Sequence, residues 1–281
     1  MKKILALIGS PRGAGNSVTM ARAVCRNVQE KHELKLMRLS DFNLQPCRAC
    51  YRCLFQDRKC IINDDLEMII QALEEADALI IAAPTYFLGA NGVLKMLMDR
   101  GLAFYSHADK LWGKPSIGIG ITGIRGKEGS TLLDIQKFQK ILMADIKHTV
   151  IVYGALPGEV FLDDNNIKTA EMLGKLLFGE AHVSTGPNCT QCGSDTFRFI
   201  DDRRVRCMLC SNEGTVEFVN GKPIFSINSS EHELFLTREY ALQHEKWLVE
   251  MKDRYMEKRD ELGEITREYI GDGKWIKPVK E

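Results

Sequence analysis

The stretch QPCRACYRCLFQDRKCI, residues 45–61, carries Cys47, Cys50, Cys53 and Cys60 in the spacing C-x2-C-x2-C-x6-C. Four thiols that close can form a disulfide knot, share a zinc ion, ligate an iron–sulfur cluster or stay free. A second set, Cys189-x2-Cys192 and Cys207-x2-Cys210, has fourteen residues between its two pairs. That spacing predicts two hairpin knuckles that bring four thiolates to one tetrahedral ion. Zinc is the expected ion. Iron uses the same knuckles, but the interval is short and the second knuckle, CMLCSN, lacks a following glycine. The ninth cysteine, Cys25, falls on an apolar stripe with Val18, Ala21, Val24 and Val28 and reads as a buried small hydrophobe.

The chain has 281 residues, 44% apolar and 27% charged. That is enough for one sizeable α/β domain with an appendage, and too ordinary for a disordered or fibrous class. Lys plus Arg and Asp plus Glu are both 38, so no global charge points to nucleic acid or a membrane surface. The N-terminal MKKILALIGSPRG has too short an apolar run for a signal peptide and ends in a glycine-rich turn, not a cleavage site. No run of about 18 apolar residues exists. The expected compartment is the cytoplasm, where clustered cysteines bind metal or do redox chemistry rather than form structural disulfides. The six histidines form no ligand pair at useful spacing. No Ser/His/Asp arrangement is visible and no residue stands out as a general acid or base. Asp163/Asp164 and Asp201/Asp202 read as solvated turns.

The elements that must position the thiols alternate strand and helix over the first 180 residues. Strands are expected at 3–9, 33–39, 78–84, 115–122 and 148–154, with helices near 16–31, 66–73, 90–101, 131–143 and 166–179. Five such units predict a doubly wound parallel sheet, Rossmann-type or flavodoxin-like, with its ligand beyond the carboxyl ends of the strands. The expected domains are 1–183, with the cysteine loop at 45–61, a zinc-ribbon-like module at 184–228 and a long helical segment at 229–281. Ser230 and Glu233 fit a capping box for that helix. Its apolar face includes Leu234, Ala241, Leu248 and Ile265, and Gly263 is expected to bend or end it.

Three loops carry the binding chemistry. GSPRGAGNS (9–17) is neither G-x-G-x-x-G nor a P-loop. It offers Ser10, Arg12, Asn16, Ser17 and the amides of 13–18, Val18 among them, at a helix N-terminus. That suits a monophosphate; the plainer reading is a strand–helix turn. In PTYFLGANGVLKMLMDR (84–100), Tyr86 and Phe87 can flank a flat ring, and the amides of Thr85 to Leu88 can bond its edge. GITGIRG (120–126) adds a second glycine-rich approach.

In this order and spacing the three loops resemble the NAD(P)H-dependent FMN reductase superfamily of flavodoxin-like proteins, over about residues 1–180. The resemblance implies strand order 2-1-3-4-5. It implies an FMN phosphate at Ser10, Arg12, Asn16, Ser17 and Val18. The isoalloxazine would lie on Pro84, Thr85, Tyr86, Phe87 and Leu88, near Thr122 and Gly123.

Three cysteines at x2 spacing also resemble the opening of a bacterial ferredoxin run, with Cys60 closing a cubane. Here Pro46 precedes the first cysteine, whereas the ferredoxin proline follows the last. In this loop of this fold, the run resembles the iron–sulfur flavoprotein family, whose members place one [4Fe–4S] cluster beside FMN. The likeness implies an FMN-dependent electron-transfer oxidoreductase that takes electrons from ferredoxin or NAD(P)H and gives them to a small-molecule acceptor. It also implies a homodimer or homotetramer; the balanced charge and the lack of a long apolar run leave no membrane partner and no nucleic-acid partner expected. Arg48, Arg52, Arg58 and Lys59 against Asp57 would favour a reduced cluster and steer an acidic carrier, or are simply solvated loop charges. Two other readings stay open: a cluster-free NAD(P)H-dependent FMN or quinone reductase, and a flavin redox sensor or scaffold acting through the ribbon. Residues 186–281 depart from the resemblance, which says nothing of their role.

Overall fold

The structure, a computed structural model, describes residues 1–55, 58–182 and 186–278. The expected boundary at 183/184 and Asp57 of the basic patch lie outside the described residues. In chain order the first domain contains β1 (Lys2–Ile8), α1 (Asn16–Arg26), β2 (His32–Arg38), α2 (Leu66–Glu75), β3 (Ala78–Tyr86) and the short β4 (Gly89–Ala90). Then come α3 (Gly92–Asp99), α4 (Ala108–Leu111), β5 (Pro115–Thr122), α5 (Thr131–Ile141), β6 (Asp145–Tyr153) and α6 (Asp164–Leu176). Five strands pair in parallel in the order β2-β1-β3-β5-β6. Counting parallel strands alone, this is 2-1-3-4-5, the flavodoxin-like order. β4, which the sequence reading did not foresee, folds back antiparallel on the end of β3.

Successive strand residues face opposite sides of the sheet. Leu5 and Leu7 of β1 join Leu79 and Ile81 of β3 in a core with Ile69 of α2, Leu97 of α3 and Phe138 of α5. Ile4, Ala6 and Ile8 join Ile80 and Ile119 in a second core with Val24 and Cys25 of α1 and Leu173 of α6. Cys25 is buried, and that burial pushes its thiol up to about 12, so it behaves as a neutral hydrophobe.

Beyond the sheet, β7 (Phe197–Phe199), β8 (Arg204–Cys207), β9 (Glu213–Val219) and β10 (Lys222–Ile227) form an antiparallel meander in the order β10-β9-β8-β7. α7 (Arg238–Glu257) and α8 (Arg259–Arg267) follow. The helix expected from residue 230 begins only at Arg238. Its N-cap is Thr237, whose Oγ1 accepts the Tyr240 N–H at 3.2 Å. Glu233 does accept the Ser230 N–H at 2.8 Å, but the same oxygen takes Asn212 Nδ2 at 2.8 Å. The pair is a tie to the meander, not a helix cap. The helices part at Lys258, not at Gly263. Among the described residues no helix is long and apolar enough to cross a membrane.

Candidate functional site

The loops after β1, β3, β5 and β6 meet at the carboxyl ends of the strands around a cleft of about 210 Å³. Ser10, Arg12, Asn16 and Ser17 line it together with Pro84, Thr85, Tyr86 and Gly123. Of the other expected cofactor residues, Val18 packs in the second core. Thr122 is buried, and its Oγ1 lies 2.6 Å from Thr85 Oγ1, which meets Thr131 Oγ1 at 2.8 Å. This hydroxyl chain fixes Thr85 at the cleft wall. Phe87 and Leu88 are exposed and do not line the cleft.

The donor set fits a phosphate: a guanidinium and two buried hydroxyls at the start of α1. Asn16 plays a different part. Its Nδ2 donates to Gly154 O at 2.9 Å, and its Oδ1 accepts the Gly158 N–H at 2.8 Å. The side chain thus holds the loop after β6 against the cleft, leaving Ser10, Arg12 and Ser17 as side-chain donors. That loop brings Gly154 and Ala155 into the lining, which the sequence reading missed. The glycine of YGALPG, directly after the last parallel strand, was the available signal.

The connection from β2 to α2 leaves Cys47 and Cys50 exposed and Cys53 and Cys60 half-buried. Ala49 (φ 49°) and Tyr51 (φ 56°) between the first cysteines, and Arg58 (φ 48°) before the last, sit in the left-handed region. Such residues turn backbone N–H groups inward; Ala49 N–H donates to Cys47 Sγ at 3.4 Å. Burial, with the charges of Cys60, Cys47 and Cys50 adding to it, pushes the Cys53 thiol up to about 11. Cys47, Cys50 and Cys60 therefore all bear on Cys53. They do not converge as a single-ion set does. A cluster needs the wider arrangement, because each thiolate binds its own iron.

A residue that sequence spacing did not reveal completes this loop. Arg100, at the end of α3, has a side chain 1% exposed, and its partner Asp64 is 0% exposed. Nη1 donates to Asp64 Oδ2 at 2.6 Å and to Gln45 O at 2.7 Å, while Nη2 donates to Cys60 Sγ at 3.1 Å. Burial alone would raise the Asp64 carboxyl, but Arg100 and the N–H groups of Gln45 and Leu66 hold it below its ordinary value. Burial disfavours the Arg100 cation, yet Asp64 and Cys60 keep it charged.

The loop is held by contacts other than the cleft lining. Its ends are pinned at the start of α2, where Asp65 accepts the Asn43 N–H at 2.7 Å and Asp64 the Gln45 N–H at 2.9 Å. Its middle falls along the flank of α3 and α4. Cys53 and Leu54 pack with Tyr105, Ala108 and Met143, in segments leading into the starts of β5 and β6. Among the described residues, none of 39–63 lines the cleft. α7 covers the loop instead: Ala241 and Leu248 pack in the cluster of Leu54, Glu245 pairs with Arg58 at 2.5 Å, and Lys252 lies 5.0 Å over the Phe55 ring.

The second cysteine set closes tightly. The sulfurs of Cys189, Cys192, Cys207 and Cys210 all lie within 4.8 Å of one another, Cys189 to Cys210 at 3.8 Å and Cys192 to Cys207 at 3.5 Å. A tetrahedral ion with bonds of about 2.3 Å sets its sulfurs about 3.8 Å apart, so the set fits one thiophilic ion. Hydrogen bonding from Cys192 draws the Cys207 thiol down, the direction that readies a thiolate ligand.

Residues 2–155 match the family described as NADPH-dependent FMN reductase. An iron–sulfur flavoprotein of Methanocaldococcus jannaschii is 32% identical, over 62% of this chain and 94% of the relative. One from Methanosarcina thermophila is 30% identical, over 54% of this chain and 77% of the relative. A solved flavone reductase has the same fold over 99% of this chain and 100% of its own, with a TM-score of 0.75 and 17% identity. The meander and C-terminal helices are therefore a shared architecture. The chain belongs to the NADPH-dependent FMN reductase family, among its iron–sulfur flavoproteins, and is an FMN-dependent oxidoreductase of that type.

Proposed function

We propose that the chain is an electron-transfer flavoprotein with three prosthetic sites. The cleft holds FMN, the loop at Cys47, Cys50, Cys53 and Cys60 holds a [4Fe–4S] cluster, and Cys189, Cys192, Cys207 and Cys210 hold a structural zinc ion. When bound, FMN supplies one- and two-electron chemistry and the cluster single-electron chemistry. The chain's own residues bind and tune. Ser10, Arg12 and Ser17 anchor the phosphate, and Pro84 to Tyr86 with Gly123 seat the ring. Arg100 sets a fixed cation at one cluster ligand, which favours the more negative, reduced state. The donor is ferredoxin or NAD(P)H, the acceptor a small molecule, the compartment the cytoplasm and the assembly a homodimer or homotetramer.

The observation that carries this reading is the cysteine loop: three thiols gathered around Cys53, with a backbone N–H and a buried guanidinium already directed at sulfur. An anaerobically purified sample is expected to hold about four irons and about four sulfides per chain. It should also be yellow from FMN and give a reduced-cluster EPR signal. Cys50→Ser is expected to lose most of the iron while retaining FMN. Wild-type chain replete in FMN but free of iron would instead favour the cluster-free reductase.

A further inference from the structure

The turn that closes β3 onto β4 is built from the wrong residues for its shape. Tyr86 pairs with Gly89, so Phe87 and Leu88 are the two-residue hairpin loop. Both are left-handed, at φ 47° and 67°. A two-residue turn with both φ values positive is type I′, which favours Asn-Gly because a Cβ is crowded there. Two bulky apolar residues therefore hold this conformation against their own preference.

The surroundings enforce it. Leu88 O accepts the Ser130 N–H at 2.7 Å and Ser130 Oγ at 3.3 Å. On the other arm, Ala90 N–H donates to Asp134 Oδ2 at 3.0 Å. Gly129, at φ 53°, admits the Leu88 carbonyl; a Cβ there would lie 2.1 Å from that oxygen. Strain kept in place by neighbours in this way accumulates at functional sites. What the turn gains is surface: Phe87 is fully exposed and Leu88 56% exposed. Ile124 after β5 and Leu156 after β6, both exposed, belong to loops that open on the same cleft.

We propose that Phe87 and Leu88 are the platform on which a planar, apolar small-molecule acceptor docks at the mouth of the cleft, and that they set its selectivity. The proposal rests on the reading of the cleft as a flavin site. Pro84, Thr85 and Tyr86 line the cleft wall and run directly into the turn, so a flat molecule against Phe87 lies next to the cleft. That continuity with the cleft selects a small ligand over a protein surface.

The test is F87N/L88G, which gives the turn its preferred residues, in FMN-saturated full-length chain with FMN content measured in every sample. The unfolding midpoint is expected to rise by about 4 °C. Equilibrium dialysis with menadione, against the oxidised protein, is expected to show binding weakened about tenfold, with sedimentation unchanged. A lower midpoint refutes the strain. Menadione affinity within twofold of wild type overturns the platform. So does a variant that loses FMN, which would make the turn part of the flavin site. A variant that dissociates into smaller species at unchanged affinity overturns it too, and marks the turn as a face between copies. If wild-type chain binds no FMN, the flavin reading falls first, a result distinct from all of these.

Discussion

Replacing Arg100 with methionine is expected to destabilise the chain by about 3–5 kcal/mol at pH 7, the cost of leaving a buried carboxylate unpaired. The Asp64 side chain is 0% exposed, and Arg100 is its sole ion-pair partner among the described residues. The sign of the pH dependence follows from the carboxyl. In the native protein Asp64 is held below its ordinary 3.8, so its contribution is present above that value and lost as pH falls through the lower folded value. Without the guanidinium, burial moves the folded carboxyl upward. The variant's deficit is then largest at neutral pH and shrinks as pH drops toward 3.8 and Asp64 protonates. Urea unfolding at pH 7 and pH 4 reads both effects. The double variant R100M/D64N, which removes both charges, is expected to lose less than R100M alone. An R100M deficit that is independent of pH would mean that packing, not charge, is what Arg100 supplies. The iron content of the proposed cluster should fall with it, because the same guanidinium ties Cys60 and Gln45 to the start of α2.

Arg100 also shows where sequence reasoning stops. The parallel strands were legible because β1, β3 and β5 are continuous apolar runs bounded by turns, as strands buried on both faces must be. The cleft was legible because its residues sit in the loops directly after those strands. The ribbon was legible because its ligands come as two short pairs. Arg100 and Asp64 are 36 residues apart, one just past the end of α3 and one just before α2, with no local pattern to join them. Asn16 was legible as a cleft residue, but its role depended on a loop 138 residues away. The position of the cysteine loop was not legible either, because a long connection can lie on any flank its end contacts allow. Glu233 misled for a related reason: the capping-box pattern is real, but Asn212 of the meander shares the same oxygen.

Cys207→Ser is expected to remove the ion proposed for the ribbon and with it the fold of residues 188–227. The meander buries only Cys189, Val205, Cys207, Val216 and Ile227 in its own cluster, too little apolar surface to hold four short strands without an ion. A structural site of this kind typically contributes about 10–16 kcal/mol of apparent binding energy, so its loss is not a local event. The flavodoxin-like cores should survive, since neither includes a residue of the meander. The effect should travel along one route. Asn212 of the meander holds Glu233, and Glu233 holds Ser230, in the segment that leads into α7. α7 in turn covers the cysteine loop through Leu248 and through the Glu245–Arg58 pair. Hydrogen exchange should therefore lose protection first in 204–227 and then in the first turns of α7, while β1, β3 and β5 keep theirs. With α7 loosened, a chelator should strip iron from the cluster proposed for the 47–60 loop several-fold faster than in wild type, although Cys207 is not among its proposed ligands. Glu245→Ala, which cuts only the last link, should speed iron loss without changing exchange in the meander. Iron loss at the wild-type rate in both variants would mean that α7 merely lies on the loop. A fast rate in both would make the metal-locked meander the anchor of the cover over the redox thiols, a role that the order of the cysteines alone could not have suggested.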